Sequence, residues 1–199
     1  MPRNRVSDFG LYANDGARKY LNHAERQRVL IAFRDLPPDR ALFCLTLAWT
    51  GARVSEVLAL TASSFQIERG IVAIQTLKRR KHHVREVPLP PQLMAALDRN
   101  FRISATARDP READSRLWPW HRVTAWRIVR RVMCRAFIAG RYACPRGLRH
   151  AFGVGTLQAG VPLNLTQRWM GHARLSTTAI YAAACGPEER VFATQFWEQ

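Results

Sequence analysis

The hydrophobic pattern of the chain changes its period in one region, and this feature most constrains the fold. Residues 71–77 and 84–89 are rich in β-branched side chains and alternate in polarity, which is typical of strands. The residues between them predict a hairpin turn with a positively charged tip. The other periodic segments carry apolar residues at helical spacing. The sequence therefore predicts a mainly α-helical fold with a small antiparallel β-sheet (α+β).

Capping residues predict where the helices begin and end. Asn22 and Glu25 resemble a capping box. The helix that follows would bury Val29, Leu30 and Phe33 and end before Pro37. Proline near the start and glycine after the end place a second helix over residues 39–50. Further helices are predicted over residues 53–60, 91–100, 121–139, 148–159, 163–170 and 177–185, with a last one from residue 187.

The remaining segments lack a clear period. We expect residues 1–20 to form an N-terminal tail, followed by one domain over residues 21–199. Residues 102–116 are predicted to be a loop. In the 121–139 helix, which Gly140 would end, the predicted buried side chains are those of Trp126, Val129, Met133 and Phe137.

The charge of the chain predicts its partner. Its 199 residues include 31 Lys and Arg but 15 Asp and Glu, giving a net charge of +16 and a pI near 11.3. Three of the basic residues are lysines: Lys19, Lys78 and Lys81. A folded domain with this charge repels itself unless a polyanion neutralises it, so nucleic acid is the leading partner.

Several other classes of protein are not supported. The longest apolar stretch, residues 41–49, is half of the ~20 residues that a membrane span needs, and the first residues lack the apolar core of a secretory signal. The four cysteines form no C-x-x-C pair, so we expect reduced thiols and no zinc site. The acidic residues are not clustered for two metal ions, and there is no glycine-rich nucleotide loop. We therefore expect neither metal nor cofactor.

Arginines recur along one face of the 121–139 helix. Arg127, Arg131 and Arg135 are spaced at i, i+4 and i+8, so they form one stripe. The stripe is either a solvated face or a helix surface that lies along DNA phosphates.

Cleavage of a phosphodiester without metal needs a nucleophile, positive charge on the non-bridging oxygens and an acid for the leaving oxygen. Arginine suits the clamp because its planar fork donates two parallel hydrogen bonds. Lysine is the better acid because its proton can be removed. On the predicted hairpin, that acid is either Lys78 or Lys81.

Three segments together resemble one family, the tyrosine recombinases or phage integrases. They are residues 50–56 (TGARVSE), residues 145–150 (PRGLRH), and residues 170–172 (MGH), followed by STTAIY at 176–181. The catalytic domain of the family shows T-G-x-R-x-S-E, a lysine on a β-hairpin, H-x-L-R-H, L-G-H, and a tyrosine nine residues after that last histidine. Tyr181 lies nine residues after His172.

The resemblance implies a role for each matching residue. Arg53 and Arg149 would clamp the phosphate, and His172 would donate a hydrogen bond to it. Lys78, which directly follows the strand, would protonate the leaving 5′-oxygen. Tyr181 would attack the phosphate and form a 3′-phosphotyrosine. The family's activity would make the protein a site-specific recombinase, a DNA strand transferase that cleaves and rejoins duplex DNA.

Two departures from the family pattern matter. Arg146 stands where the family has the first histidine of H-x-L-R-H. As a candidate catalytic residue it would keep a positive donor near the phosphate, but an arginine cannot shuttle a proton. The alternative is therefore a catalytically weak or inactive DNA-binding protein of the same fold. The second departure is length: most members carry a separate N-terminal helical domain, which residues 1–20 are too short to form. The chain therefore resembles the short, single-domain members of the family. His150 is expected to be mainly structural or to support a neighbouring site residue. Arg53 either merely pairs with Glu56 on one helix turn or is oriented by that pair as a clamp, and the two interpretations are compatible.

The resemblance also implies partners. Double-stranded DNA would contact Arg79, Arg80 and Lys81 at the hairpin tip and the arginine stripe. Near the end of the chain, the apolar stripe of Val191, Phe192, Phe196 and Trp197 would pack on the chain's own core or dock into a neighbouring protomer. We expect a homo-oligomer, a tetramer on two DNA sites, with accessory DNA-binding proteins as further candidate partners. We expect a cytoplasmic bacterial protein, associated with the nucleoid or a mobile element.

Overall fold

The computed structural model describes residues 10–13, 15–76, 83–109 and 111–182, together with residues 194 and 197. These residues form a mainly helical fold with one small antiparallel sheet, which confirms the predicted fold class. The helices are α1 (His23–Ala32), α2 (Pro38–Thr50), α3 (Val54–Val57), α4 (Pro91–Phe101), α5 (Ile103–Thr106), α6 (Arg122–Arg135), α7 (Pro145–Gln158), α8 (Leu163–Met170) and α9 (Ser176–Ala179). The strands are β1 (Phe65–Gln66), β2 (Ile71–Gln75) and β3 (Val84–Pro88).

The sheet has the order β1-β2-β3, with both neighbouring pairs antiparallel. Val72 pairs with Val87, and both side chains are buried on the face that packs against the helices. This confirms the predicted hairpin of β2 and β3. The sequence did not predict β1, because two residues are too short to show a period.

The core lies around α2, which contacts α3, α4 and α7. Phe43 of α2 is fully buried, and its ring meets that of Trp118 edge to face at 5.5 Å. The indole N–H of Trp118 donates to the carbonyl oxygen of Asp39 at 2.9 Å, so this buried polar group is satisfied. No helix of the described residues is both long and apolar enough to cross a bilayer.

The prediction for α6 is wrong at its C-terminal end. The helix ends at Arg135 rather than at Ala139, because Phe137 adopts a left-handed conformation with a φ of 56°. The Phe137 N–H donates to the Cys134 carbonyl oxygen and the Ile138 N–H to that of Met133, at 3.0 and 2.9 Å. This is the Schellman arrangement, with phenylalanine at the position that glycine usually occupies.

The predicted buried face of α6 is correct in part. Val129 and Met133 are buried, whereas Trp126 is 45% exposed and Phe137 is 90% exposed. The buried face of α6 begins at Ala125 rather than at the predicted Trp126. The left-handed turn at Phe137 directs that side chain away from this face.

Two other boundaries differ from the predictions. Leu11 and Tyr20 lie in the predicted tail, yet both are buried in a cluster with Met170 and Tyr181, so the boundary predicted at residue 21 is too late in the chain. The predicted loop over residues 102–116 contains α5. The carboxylate of Asp98 accepts hydrogen bonds from the backbone N–H and the hydroxyl of Ser104, which stabilises the first turn of this helix.

Candidate active site

Arg53 is held where the chain turns from α2 into α3. Gly51 ends α2 in the left-handed conformation, with a φ of 59°, and Arg53 is the extended N-cap residue of α3. Glu56, one turn later, accepts hydrogen bonds from the Arg53 backbone N–H at 2.9 Å and from its Nη1 at 2.7 Å. This confirms the predicted pair, and it orients a guanidinium whose side chain remains 28% exposed.

Glu56 binds a second guanidinium, that of Arg85 on β3. Arg85 Nη2 lies 2.7 Å from Glu56 Oε2, and both side chains are fully buried. Arg85 also donates from Nε to the Trp169 carbonyl oxygen at 2.7 Å and from Nη1 to Thr76 Oγ1 at 2.8 Å. The buried pair therefore joins α3, the sheet and the end of α8.

The charge of Glu56 depends on these partners. Burial by itself would raise the pKa of Glu56, but the charge of Arg85 and the hydrogen bonds from Arg53 and Arg85 outweigh it and lower the pKa. The sequence analysis missed Arg85. A signal was present, because Arg85 lies two residues before the buried Val87 and therefore on the same face of β3.

Arg149 joins the site from α7. Its Nη1 donates to the Gly51 carbonyl oxygen and its Nη2 to the Met170 carbonyl oxygen at 2.8 Å, so it connects the ends of α2 and α8. Burial, and next the charge of Arg53, lower the pKa of Arg149 to about 10. The guanidinium is therefore still charged at neutral pH, and it lies close enough to Arg53 for the two charges to interact.

His172 follows Gly171, which ends α8 in the left-handed conformation with a φ of 66°. Its Nδ1 lies 2.9 Å from Thr178 Oγ1, and its ring stacks on that of Tyr181 with an interplanar angle of 14°. Burial, followed by the charges of Arg149 and Arg53, lowers the pKa of His172 to about 3. The imidazole is therefore neutral at physiological pH.

Tyr181 lies in the same pocket, and its side chain is buried. Its hydroxyl oxygen is 3.1 Å from Nδ1 of His150, the residue after Arg149 on α7. Burial raises the pKa of Tyr181 to about 12, against the opposing charges of Arg149 and Arg53. Gly153 allows this placement, because a Cβ atom there would lie 2.6 Å from the phenol ring.

Four of the predicted site residues are brought together from distant parts of the chain: Arg53, Arg149, His172 and Tyr181. Arg146 is exposed on the first turn of α7, one turn before Arg149 and His150 on the same face. The hairpin residues predicted to act as acid or to contact DNA lie outside the described residues: Lys78, Arg79, Arg80 and Lys81.

His150 was expected to be mainly structural or to support a neighbouring site residue. In the structure, its Nδ1 lies within hydrogen-bond distance of the Tyr181 hydroxyl oxygen. Its position next to Arg149 in the motif was the available signal, because both lie one turn from Arg146. Helical spacing did not show which of these side chains would point towards Tyr181.

The arginine stripe of α6 lines a separate cleft of about 330 Å³. Arg127, Arg131 and Arg135 are exposed on one side of it, which confirms that they share a face. Arg40, from the first turn of α2, lines the other side. None of these four arginines forms an ion pair with a described residue. The cleft therefore presents four positive charges to solvent.

Metal-ligating side chains are not grouped in the part of the chain that the structure describes. No three His, Cys, Asp or Glu side chains lie close enough there to hold a metal ion.

Residues 19–185 match the phage integrase family. The tyrosine recombinase XerA of Thermococcus onnurineus is 32% identical over 176 residues, covering 82% of this chain and 57% of the relative. The chain therefore belongs to the phage integrase family of tyrosine recombinases. It spans about half the length of the relatives it matches.

Solved structures show the same fold. A crystal structure of XerA recombinase superposes with a TM-score of 0.71 at 24% identity, covering 98% of this chain and 66% of that chain. A post-cleavage complex of XerH recombinase with palindromic difH substrate gives a TM-score of 0.72 at 21% identity, covering 100% and 59%.

Replacing Glu56 with glutamine should destabilise the protein strongly. The neutral amide leaves the guanidinium of Arg85 buried without a counter-charge, and breaking such a pair lowers the free energy of unfolding by about 3–5 kcal/mol. Urea denaturation measures this change. Glu86→Gln is the matched control, because Glu86 is half exposed, lies 3.6 Å from Arg69 and should contribute less than about 1 kcal/mol. Equal losses in the two variants would contradict a structural role for the buried pair.

The depressed pKa of His172 predicts that the protein is less stable in acid. At low pH the unfolded chain takes up a proton on this imidazole that the folded state excludes, so stability is full above pH 6.5 and is lost as the pH falls towards about 3. By about pH 4.5, two units below the unfolded pKa, this group should have lowered the free energy of unfolding by about 3 kcal/mol. Urea denaturation at pH 7 and at the lower pH compares the wild type with His172→Gln, which should lose less stability. His23→Gln, at an exposed position, should behave like the wild type, and the same acid loss in all three proteins would contradict the assignment.

Proposed function

We propose that the protein is a site-specific DNA recombinase that cleaves and rejoins duplex DNA through a 3′-phosphotyrosine at Tyr181. One observation carries this proposal: the Tyr181 phenol is brought between His150 and His172 and lies near enough to Arg53 and Arg149 for both charges to act on it. The family supports the proposal, and so do the complexes of related recombinases with their DNA, such as that of XerH with difH substrate.

The arginines suit phosphoryl transfer. Arg53 and Arg149 would donate hydrogen bonds to the non-bridging oxygens, where negative charge builds up in the transition state. Glu56 and the carbonyl groups of Gly51 and Met170 fix these guanidiniums in advance, so little reorganisation is needed when the phosphate arrives. His172, which is neutral, would donate a further hydrogen bond.

The proposed step exchanges one phosphodiester for another. The Tyr181 oxygen attacks phosphorus, the bond to the 5′-oxygen breaks, and Lys78 supplies the proton that this oxygen takes up. A 5′-hydroxyl of another strand then attacks the phosphotyrosine, which reverses the step. The energy of the ester bond is kept throughout, so the exchange needs no nucleotide.

The raised pKa of the Tyr181 phenol is the main obstacle to its action as a nucleophile. At a pKa of about 12, roughly one molecule in 10⁵ carries a phenolate at pH 7. The proton must therefore leave during the attack, and Arg146 cannot accept it. This observation favours a second candidate function, a DNA-binding protein of the same fold with weak or absent catalysis.

We further propose that the cleft between α2 and α6 binds the DNA backbone. Its four arginines carry no acidic partner among the described residues, and a row of guanidiniums one helical turn apart matches a run of phosphates. Arg40 adds a contact that the sequence analysis did not predict.

Assembly and location remain part of the same proposal. Cleavage of two duplexes needs one nucleophile for each exchanged strand, which supports a tetramer on two DNA sites, with accessory DNA-binding proteins as further partners. Trp197 of the C-terminal stripe is 69% exposed, as docking into a neighbouring protomer requires. The proposed place of action is the cytoplasm of a bacterial cell, on nucleoid or mobile-element DNA.

A nicked duplex tests the function directly. When the fragment released by cleavage is too short to stay paired, it diffuses away and the phosphotyrosine is trapped. Denaturing gel electrophoresis should show a covalent adduct with the wild type and none with Tyr181→Phe. Tyr12→Phe, at an exposed tyrosine, is the matched control and should form the adduct normally. A wild type that shifts DNA in a native gel without forming the adduct would support the binding-only candidate.

The salt dependence of DNA binding tests whether the arginines of the cleft contact phosphates. Each lost phosphate contact should reduce the slope of log K against log salt concentration by about 0.9, so replacing Arg127, Arg131 and Arg135 with glutamine should reduce it by nearly 3. A triple variant of equal charge loss is the control and should keep the wild-type slope; it changes Arg99, Arg108 and Arg111, which are exposed on and after α4. Equal slopes for the two triple variants would show that the stripe does not contact phosphates. Fluorescence anisotropy with duplex DNA measures both.

A further inference from the structure

We propose that His150 is the catalytic residue that accepts the phenolic proton of Tyr181 during DNA cleavage. This inference rests on the proposed function, and it assigns the task that Arg146 cannot perform. It gives a catalytic role to a histidine for which the sequence predicted a mainly structural or supporting one.

The geometry suits proton transfer. His150 Nδ1 lies 3.1 Å from the Tyr181 hydroxyl oxygen, which is within the reach expected of a general base. The two rings are tilted by 54° with centroids 5.8 Å apart, so the contact is made at the ring edge, where the nitrogen lone pair lies. An imidazole can take up a proton at a nitrogen that carries none.

The neighbouring groups are suited to other tasks. His172 meets the phenol through its ring face, and its Nδ1 is 2.9 Å from Thr178 Oγ1. Arg53 and Arg149 carry their protons permanently, so they can stabilise a phenolate but cannot receive its proton. Of the described groups whose contact with the phenolic oxygen is a hydrogen bond, His150 is therefore the one with basic chemistry.

The hydrogen bonds of the neighbouring Arg149 also hold His150 in place. Arg149, the residue before it, bonds the ends of α2 and α8 and so fixes this turn of α7. Tyr181 is held from the other side, because its ring packs on Gly153 one turn later in the same helix. Base and nucleophile are thus both set by α7.

The Tyr181 O–H bond breaks and its proton moves to His150 Nδ1 while the phenolic oxygen forms its bond to phosphorus. The bond from phosphorus to the 5′-oxygen breaks, and this oxygen takes a proton from a separate donor, Lys78. On religation the imidazolium of His150 returns the proton to the departing phenolate. The resting imidazole must therefore carry its proton on Nε2.

Bound DNA favours this transfer. Proton uptake by His150 would add a positive charge next to Arg149, the residue before it on α7. The phosphate brings negative charge that increases in the transition state and offsets the new cation. His150 would therefore accept the proton when the scissile phosphate is in place.

The variant His150→Asn separates a base from a positioning group, because the asparagine side chain can accept a hydrogen bond near the Nδ1 position but cannot take up the proton. We expect the rate of adduct formation on the nicked duplex to fall by about 10²–10⁴-fold. Imidazole added to His150→Ala should restore part of the rate. His23→Asn, at an exposed histidine, is the control and should keep the wild-type rate. A wild-type rate in His150→Asn would overturn the proposal.

A duplex with sulfur in place of the leaving 5′-oxygen distinguishes base from acid. Sulfur leaves without being protonated, so this substrate should relieve the defect of Lys78→Ala and leave that of His150→Asn. Relief of the His150→Asn defect would assign His150 to the leaving group and reject its role at the phenol.

The unaltered protein offers a test that does not depend on a variant folding. Nitrogen NMR of the histidine side chains reports which ring nitrogen of His150 carries the proton, and the proposal requires Nε2. A proton on Nδ1 would contradict it. If the unaltered protein forms no adduct at all, the proposed function fails and this inference with it. An adduct that forms equally well in His150→Asn removes this inference alone.

Discussion

The buried carboxylate of Glu56 is the group on which the rest of the site depends. A carboxylate removed from water is destabilised by several kcal/mol unless it is well paired, and Glu56 is paired twice, with Arg53 and Arg85. Because Arg85 also bonds the Trp169 carbonyl group and Thr76, one carboxylate connects the start of α3, the sheet and the end of α8. The partly exposed guanidinium of Arg53 is thereby oriented by groups that solvent does not reach.

The charges of the pocket are unbalanced in a way that suits a phosphate. Three guanidiniums, those of Arg53, Arg85 and Arg149, surround the single carboxylate of Glu56, while His172 and Tyr181 are uncharged at neutral pH. Burial, and next this excess positive charge, lowers the pKa of both Arg149 and His172. A phosphate bound here would offset the repulsion between the guanidiniums, so the same charges would favour its binding.

Most of the regular structure could be predicted, and the errors have physical causes. The β2–β3 hairpin, the capped start of α1 and the glycine that ends α2 follow from local rules that act over a few residues. The C-terminal end of α6 does not, because Phe137 takes a conformation that its own side chain disfavours. The burial of Leu11 also depends on distant partners, which no local pattern contains.

For the site, the sequence by itself determined which chemical groups are present and in what order, because the motif spacings that identify Arg53, Arg149, His172 and Tyr181 are local. Only the tertiary structure decided which histidine lies within hydrogen-bond distance of the phenol, and that Arg85 binds the same carboxylate as Arg53. The phenol and its partner are 31 residues apart, and Arg85 and Glu56 are 29 apart. Contacts over such distances depend on how α3, β3 and α7 pack together. The neighbouring residues along the chain do not determine which way a side chain points within that packing.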